Sequence, residues 1–481
     1  MLITDLEPKT IWQHFEAINA IPRASTKEEV IINFMMAFGK SLNLETSVDA
    51  IGNVIIKKPG TKGKEDCRTI VLQGHLDMVH QKEATSNFDF ETQGIEMFVD
   101  GDWVKAKETT LGADNGIGVA AIMAVLTSND IEHPPIEALF TIDEEMGMTG
   151  AMALTKEQLQ GSILLNLDSE EDDEITIGCA GGVDVAIDGP FDIKLLDAKE
   201  YSLKEIKVSG LTGGHSGMDI HLNRANAILV LTECLEYLIS QTDCRLHSVD
   251  VGTLTNVIPR NGSAIIAIRE DKYELFAQAL KDIEQVLKQK YLNTDPDLSI
   301  EVFSSENTMG VLDVKTQKKM IEAVLTIPNG VYAMTEGIEG LVQTSNNIAI
   351  FNVGQGSYHI GCHTRSAINA ERDELVSKIR DCFPFAKVSE NGPYPGWEPR
   401  PDSELLALAT RCYWELNGEF AAIKSIHAGL ECGILSGTFP DMQMISFGPN
   451  ILGAHSPEER LQISSTQKFW KLLTKLLKEL K

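Results

Sequence analysis

The sequence has no Cys-x-x-Cys pair, no long apolar run and no excess of positive charge, and each lack closes off a class of protein. Its eight cysteines, at 67, 179, 234, 244, 362, 382, 412 and 432, are scattered. Scattered thiols argue against a disulfide framework or a structural zinc knuckle, and for a reducing, cytoplasmic setting. No stretch reaches the ~18 apolar residues that a membrane span needs. The opening Met-Leu-Ile-Thr-Asp-Leu-Glu-Pro lacks a basic region followed by an apolar core, so no signal peptide is expected. Lysine and arginine number 42 against 70 aspartates and glutamates, a net charge of −28. That balance argues against a nucleic-acid or anionic-membrane surface and reads as a soluble, self-repelling exterior.

At 481 residues the chain is long for one core, so two or more domains are expected. Residues 8–20 read as an amphipathic helix. Ser25-Thr26-Lys27-Glu28 reads as a capping box for a second helix running to about Ser41. Residues 45–57 read as extended chain turning at Gly52-Asn53, and residues 81–108 as irregular and polar. An apolar, β-branched run from Thr69 to Leu72 predicts a buried strand that ends in Gly74-His75-Leu76-Asp77. Leu111-Gly112-Ala113-Asp114-Asn115-Gly116 leads into a predicted helix over Val119–Leu126. Ile136–Ile142 predicts a strand ending in Asp143-Glu144-Glu145, and Ile163–Leu167 one ending in Asp168.

Taken singly these are weak signals. A strand-ending His-x-Asp is more often a polar cap than a metal site, and an aspartate at a glycine-rich helix entry reads equally as an N-cap. Three acids at a strand end are costly unless they face water or a cation. Three successive strands that end in imidazole or carboxylate, with Asp114 as a further acid, go beyond surface capping. In an open α/β sheet, ligands sit at the carboxyl ends of parallel strands, and carboxylate with imidazole is a donor set for divalent metals.

After Gly181-Gly182 the strand-end acids stop. Residues 1–182 and 392–481 are assigned to one α/β domain with a mixed, largely parallel sheet flanked by helices, and 183–391 to an inserted α+β domain. Within the insertion, Gly252…Asn256…Ser263–Arg269 echoes Gly340…Asn346…Arg365, which predicts internal duplication. Leu275–Lys290 reads as an exposed helix. Gly392–Pro401 reads as a stiff linker back to the first domain. Strands at Ile423–Ile426 and Met442–Phe447 follow. Gly453-Ala454-His455-Ser456 then precedes a C-terminal helix over Ser465–Lys481, with Ser456 and Glu459 spaced to cap a turn.

His75-x-Asp77, Ala113-Asp114-Asn115, Glu144-Glu145, Asp168 and Gly453-Ala454-His455, in this order, resemble the dinuclear zinc exopeptidases. That family includes carboxypeptidase G, aminoacylase-1, succinyl-diaminopimelate desuccinylase and the carnosinases. Glu339–Asn347 and His427–Gly433 resemble its dipeptide-cleaving branch. The resemblance spans essentially the whole chain. It implies a catalytic domain that binds two Zn2+ (Co2+ or Mn2+ as substitutes) and an inserted lid. Asp114 would bridge the metals, with His75 and Asp168 on one and Glu145 and His455 on the other. Asp77 would orient His75, Glu144 would be the general base, and the Asp114–Asn115 peptide would be cis. In the lid, His215 of Leu211–Gly217 would stabilise the oxyanion, assisted by Asn256. Arg365 would hold the substrate carboxylate, with Arg269 as its rival, and Gly429 would admit the same end. The lid departs from the family pattern at Gly217-Met218-Asp219 and at Cys362-His363-Thr364-Arg365.

The activity implied is hydrolysis of unblocked dipeptides, Xaa-His among them. The alternatives are an N-acyl amino acid deacylase or desuccinylase of the same family, and a non-catalytic peptide-binding relative. A cytoplasmic homodimer is expected, with Met78 and the residues around Glu431 shaping the side-chain pockets.

Overall fold

The computed structural model describes residues 2–335 and 340–481; Glu339, at the head of the Glu339–Asn347 motif, lies outside them. The chain divides into two compact units. The first comprises Met1–Cys179, Trp397–Ser425 and Leu430–Lys481; the second comprises Ala180–Gly396 and Ile426–Gly429. Each has its own buried apolar core.

The first unit is built on one sheet. Its strands are β1 (Glu45–Val48), β2 (Val54–Lys58), β3 (Ile70–His75), β4 (Ile136–Thr141), β5 (Ile163–Asn166) and β6 (Glu174–Cys179), with Gln443–Ser446 and Ala422–Ile426. The order is β1-β2-β4-β3-β5, then Gln443–Ser446, β6 and Ala422–Ile426. The inner strands β4, β3, β5 and Gln443–Ser446 run parallel, and β1, β2 and β6 pair antiparallel. β3, β4 and β5 are buried along their whole length, as expected of central strands covered on both faces.

Helices α1 (Lys9–Asn19), α2 (Glu29–Ser41) and α3 (Ala113–Thr127) belong to this unit. From Ile117 to Leu126, α3 is apolar on every side and wholly buried, the pattern of a core helix rather than a surface one. Asp114 and Asn115 at its entry have non-helical backbone angles, and the bond between them is cis.

Two readings of this unit need correcting. Ser25–Glu28 forms no capping box: the Ser25 hydroxyl donates to Asp77 Oδ2 at 2.8 Å, and Glu28 Oε1 accepts from the Thr26 and Asp143 amides at 2.9 and 3.0 Å. The stretch 81–108 contains a short hairpin, Met97–Asp100 with Trp103–Ala106, turning at Gly101 with φ +63°.

The second unit holds β7 (Gly181–Pro190), β8 (Tyr201–Ser209), β9 (Arg245–Val251), β10 (Gly262–Arg269), β11 (Ser299–Ser304), β12 (Val342–Gly354), β13 (Ser357–Ser366) and β14 (Lys387–Tyr394). They form an antiparallel sheet in the order β11-β8-β10-β9-β12-β13-β7-β14, with Gly330–Met334 added beside β12. Its two halves share one topology. β8, the helix Ala227–Thr242, β9, β10, the helix Tyr273–Lys290 and β11 make a βαββαβ unit. β7, the helix Val314–Thr326, β12, β13, the helix Asn369–Cys382 and β14 make another, with the first inserted between β7 and Val314. Numbered within its own half, each reads 4-1-3-2 across the sheet. The echoed residues do not fall at equivalent places: Gly252 and Asn256 follow β9, whereas Gly340 precedes β12 and Asn346 lies within it. Part of the expected linker is strand: Gly392 and Pro393 lie in β14, an edge position where a proline leaves no inner ladder bond unmade.

All eight cysteines are free thiols. Among the described residues no helix is long and apolar enough to cross a membrane.

Candidate metal centre

The ends of β3, β4 and β5 and the entry of α3 converge in the first unit. His75 closes β3 and is buried. Its Nε2 lies 3.0 Å from Asp114 Oδ1, 3.4 Å from Asp168 Oδ1 and 4.0 Å from Glu144 Oε2. His455 Nε2, from the turn before the C-terminal helix, lies 3.2 Å from Asp114 Oδ2 and 2.9 Å from Glu145 Oε2. The two oxygens of Asp114 therefore face two different imidazoles. Donor atoms of His75, Asp114 and Glu145 all lie within 4.8 Å of one another. Glu145 Oε1 is buried with no hydrogen-bond partner.

Electrostatics mark the same place. Burial pushes Asp168 up to about 6, helped by Asp114 and Glu145. Burial also raises Glu144 well above the usual carboxylate range, with Asp168, Glu431 and Asp114 adding to it. Hydrogen bonds to Asp114 and Glu145 push His455 up to about 11. Burial would lower His75, but the Asp168 charge and hydrogen bonds to Asp114, Asp168 and Asp77 carry it well above its ordinary value. Acids packed this closely need positive charge among them. Two imidazoles and three carboxylates, one with an unpartnered buried oxygen, fit divalent cations.

Asp77 does more than face His75. Its Oδ1 is 3.4 Å from His75 Nδ1, while its own carbonyl is nearer, at 3.1 Å. The carboxylate also accepts from the Glu144 amide at 3.1 Å and the Glu145 amide at 3.2 Å. It thus fixes the turn on which the two adjacent glutamates diverge. Against burial, hydrogen bonds and the His75 charge hold Asp77 down to about 2.

Sequence reasoning set the residues around Glu431 at the side-chain pockets, whereas Glu431 itself is fully buried in a polar layer beneath these ligands. Glu431 Oε2 accepts from Gln73 Nε2 at 2.5 Å and from the Thr141 hydroxyl at 2.7 Å, and Asn166 Nδ2 donates to Gln73 Oε1 at 2.5 Å. Burial pushes Glu431 up to about 8. The available signal was polar residues, Gln73, Thr141 and Asn166, inside otherwise apolar strands.

The second unit gathers its own set. His215 Nδ1 accepts from the Gly217 and Met218 amides at 3.2 and 3.0 Å, which leaves the ring proton on Nε2. Burial and the Arg365 charge lower its pKa, so the ring is a neutral donor. Arg365 is buried; Nη1 donates to the Tyr394 hydroxyl at 3.2 Å, and Nε has no partner. Arg269 is exposed and paired with Asp271 at 2.9 and 3.0 Å. Asn256 is exposed, and its carbonyl accepts from the Ser216 amide at 2.8 Å. Gly429 ends the short segment that carries His427. His363 and His427 also belong to this set. His363 Nδ1 pairs with Asp184 Oδ1 at 2.6 Å, and His427 Nε2 with the Ser345 hydroxyl at 2.7 Å.

The sequence pattern of peptidase family M20/M25/M40 matches residues 71–479. The chain is 38% identical to the cytosol non-specific dipeptidase of Escherichia coli, over 99% of each chain. Among solved structures it is similar to an aminoacylhistidine dipeptidase from Vibrio alginolyticus, with TM-score 0.95 and 37% identity over 100% of this chain and 98% of that one. Aminopeptidase PepT from Bacillus cereus shares the fold, with TM-score 0.58 and 16% identity over 99% of each chain.

Proposed function

The chain belongs to peptidase family M20/M25/M40, and from that membership we propose that it is a metal-dependent dipeptidase that cleaves unblocked dipeptides, Xaa-His among them. The observation that carries the reading is the position of Asp114, with one oxygen toward His75 and the other toward His455.

Asp114 would hold two cations, with His75 and Asp168 completing one site and Glu145 and His455 the other. Zinc suits this mixture of imidazole and carboxylate, and cobalt or manganese can replace it. When bound, the pair would supply Lewis acidity toward water and toward the scissile carbonyl. Glu144 coordinates neither cation in this scheme. Its carboxylate faces the site, with Oε2 4.0 Å from His75 Nε2, where it would take the proton of the attacking water and return it to the leaving amine. Asp77 keeps Glu144 and Glu145 apart in direction through their backbone amides.

In the second unit, His215 with its Nε2 proton is assigned to the developing oxyanion, assisted by Asn256. Arg365 is assigned to the substrate carboxylate in preference to Arg269, which Asp271 already occupies. Gly429 offers backbone to the same end. The dipeptidase is expected to work in the cytoplasm as a homodimer.

The test is kinetic and analytical. Glu144→Gln should retain both metal ions by elemental analysis and lose at least ~10³-fold in kcat/KM. Asp168→Ala should retain fewer than two ions. Preferential cleavage of N-acyl amino acids by the zinc-loaded enzyme would replace the dipeptidase reading with the deacylase one.

A further inference from the structure

Glu459 is an acid beside a cation-binding centre that has no free lone pair pointed at it. It is 2% exposed. Its Oε2 accepts from the Leu111 and Gly112 amides at 2.7 and 2.9 Å, and its Oε1 from the Ala113 and Asp114 amides at 2.7 and 3.3 Å. Four successive N–H groups at a helix entry form an anion-binding nest, and a side chain of this protein fills it. A carboxylate can take four donors on two oxygens; an amide cannot.

The opposite side of the same loop is held by a cation. Arg23 is fully buried. Its Nη2 donates to the Gly112 carbonyl at 2.6 Å and to Asn19 Oδ1 at 3.1 Å. Its Nη1 donates to the carbonyls of Leu76 and Asp77, both at 3.0 Å. Asn19 Nδ2 in turn donates to the Leu111 carbonyl at 2.9 Å. Gly112 sits at φ +69°, and a Cβ there would stand 2.5 Å from Arg23 Nη2 and 2.6 Å from Met78 Sδ. Any other residue here would be strained at this φ and would have to displace Arg23 or Met78.

These contacts join the three segments that carry the proposed ligands. Glu459 follows His455 by four residues in a hydrogen-bonded turn, with the Ser456 amide donating to Gly453 and the Glu459 amide to Ser456. Glu459 therefore ties the His455 turn to the Asp114 loop. Arg23 ties that loop to the end of β3, where His75 lies. We propose that Glu459 and Arg23 are positioning residues that set Asp114 midway between His75 and His455, so that one carboxylate can serve two cations. The proposal rests on the dinuclear reading of the site. Neither residue touches substrate or metal; each acts through the backbone of the Leu111–Asp114 loop.

The test uses the full-length, metal-free protein titrated with Co2+ and followed by its visible ligand-field absorption. Glu459→Gln keeps the volume but turns an amide NH2 toward two backbone N–H groups. It should weaken Co2+ binding about 10- to 100-fold, the usual effect of losing an outer hydrogen bond to a metal site. At saturating Co2+ its absorption should also differ from wild type, which a loss of fold stability alone would not produce. Arg23→Lys keeps the charge but cannot span both loops, and should shift affinity in the same direction. A folded Glu459→Gln protein with wild-type affinity and spectrum overturns the proposal. If that variant does not fold, a wild-type result from Arg23→Lys overturns it. Should wild type itself bind no Co2+, the dinuclear reading fails first, and the proposal falls with it.

Discussion

Replacing Glu431 by glutamine should make the metal-free protein more stable at alkaline pH. Glu431 is fully buried, its Oε2 takes both available donors, and its Oε1 has no partner. Burial pushes it from 4.5 up to about 8, so it is a neutral acid at pH 7. A group whose folded pKa is raised contributes stability that is complete below the unfolded value and is lost as pH rises through the folded one. Between pH 4.5 and about 8 the unfolded chain releases a proton that the folded chain keeps. At about 1.4 kcal/mol per unit, this costs wild type about 5 kcal/mol across that window.

Glutamine keeps the acceptor, puts an N–H where the acid carries its O–H, and does not titrate. Its advantage over wild type should be near zero at pH 5 and grow steadily to pH 8. Glu431→Ala lacks the titrating group as well, but it leaves Gln73 Nε2 and the Thr141 hydroxyl unpaired and opens a cavity, so it should lie about 2–5 kcal/mol below the glutamine variant at every pH. The assay is urea unfolding under chelator from pH 5 to 9, followed by tryptophan fluorescence. All five tryptophans, Trp12, Trp103, Trp397, Trp414 and Trp470, lie in the first unit, so the signal reports that unit alone. A Gln-minus-wild-type difference that stays flat with pH, or a glutamine variant as unstable as the alanine one, would refute the reasoning.

Three further outcomes are expected. Asp77→Asn exchanges one acceptor for a donor facing the Glu144 or Glu145 amide, at about 1.5–3 kcal/mol; kcat/KM should fall about 10- to 100-fold with two ions still bound at saturating metal, measured by steady-state kinetics with elemental analysis. His427 is held down to about 3 by burial and by Arg365, His363 and His215. Its contribution is therefore complete above pH 6.5 and lost as pH falls toward 3, and His427→Gln should resist acid better than wild type by hydrogen exchange in β12 and β13. Gly74→Ala would drive a Cβ into Asn115 Oδ1, so the thermal midpoint of tryptophan fluorescence should drop by the equivalent of about 1–3 kcal/mol.

His75, Glu145 and Asp168 were legible because each stands at or just past the end of an apolar strand, where a polar residue becomes conspicuous; Asp114 and His455, at a helix entry and in a turn, drew notice only beside those three. Their supports were not legible. Ser25, Glu28 and Glu459 all sit at spacings that suit local caps, and each spends its side chain at least in part on a distant segment: Ser25 on Asp77, Glu28 on the Asp143 amide, Glu459 on the Leu111–Asp114 loop. Local spacing cannot separate a cap from a long-range contact when the same atoms serve both. The partners of Glu431 escaped for a related reason, since nothing next to it in sequence reveals that they come from β3 and β4. The hairpin at 97–106 was missed because four-residue strands show too little alternation to stand out, although Asp100-Gly101 is a turn signal.

The path of the chain into and out of the second unit bears on how the chain can be divided. Cys179 and Trp397 exchange two backbone hydrogen bonds, at 2.9 and 3.0 Å, and Gly182 pairs with Tyr394. Entry and exit of its main segment, Ala180–Gly396, are therefore neighbours, and that segment could be removed without rerouting the rest of the chain. A two-residue turn, the length that closes a hairpin, would suffice to join Cys179 to Trp397. The shortened chain would keep His75, Asp114, Glu145, Asp168 and His455 and shed His215, Asn256 and Arg365, so the proposed metal ligands and the proposed substrate contacts are separable along the sequence.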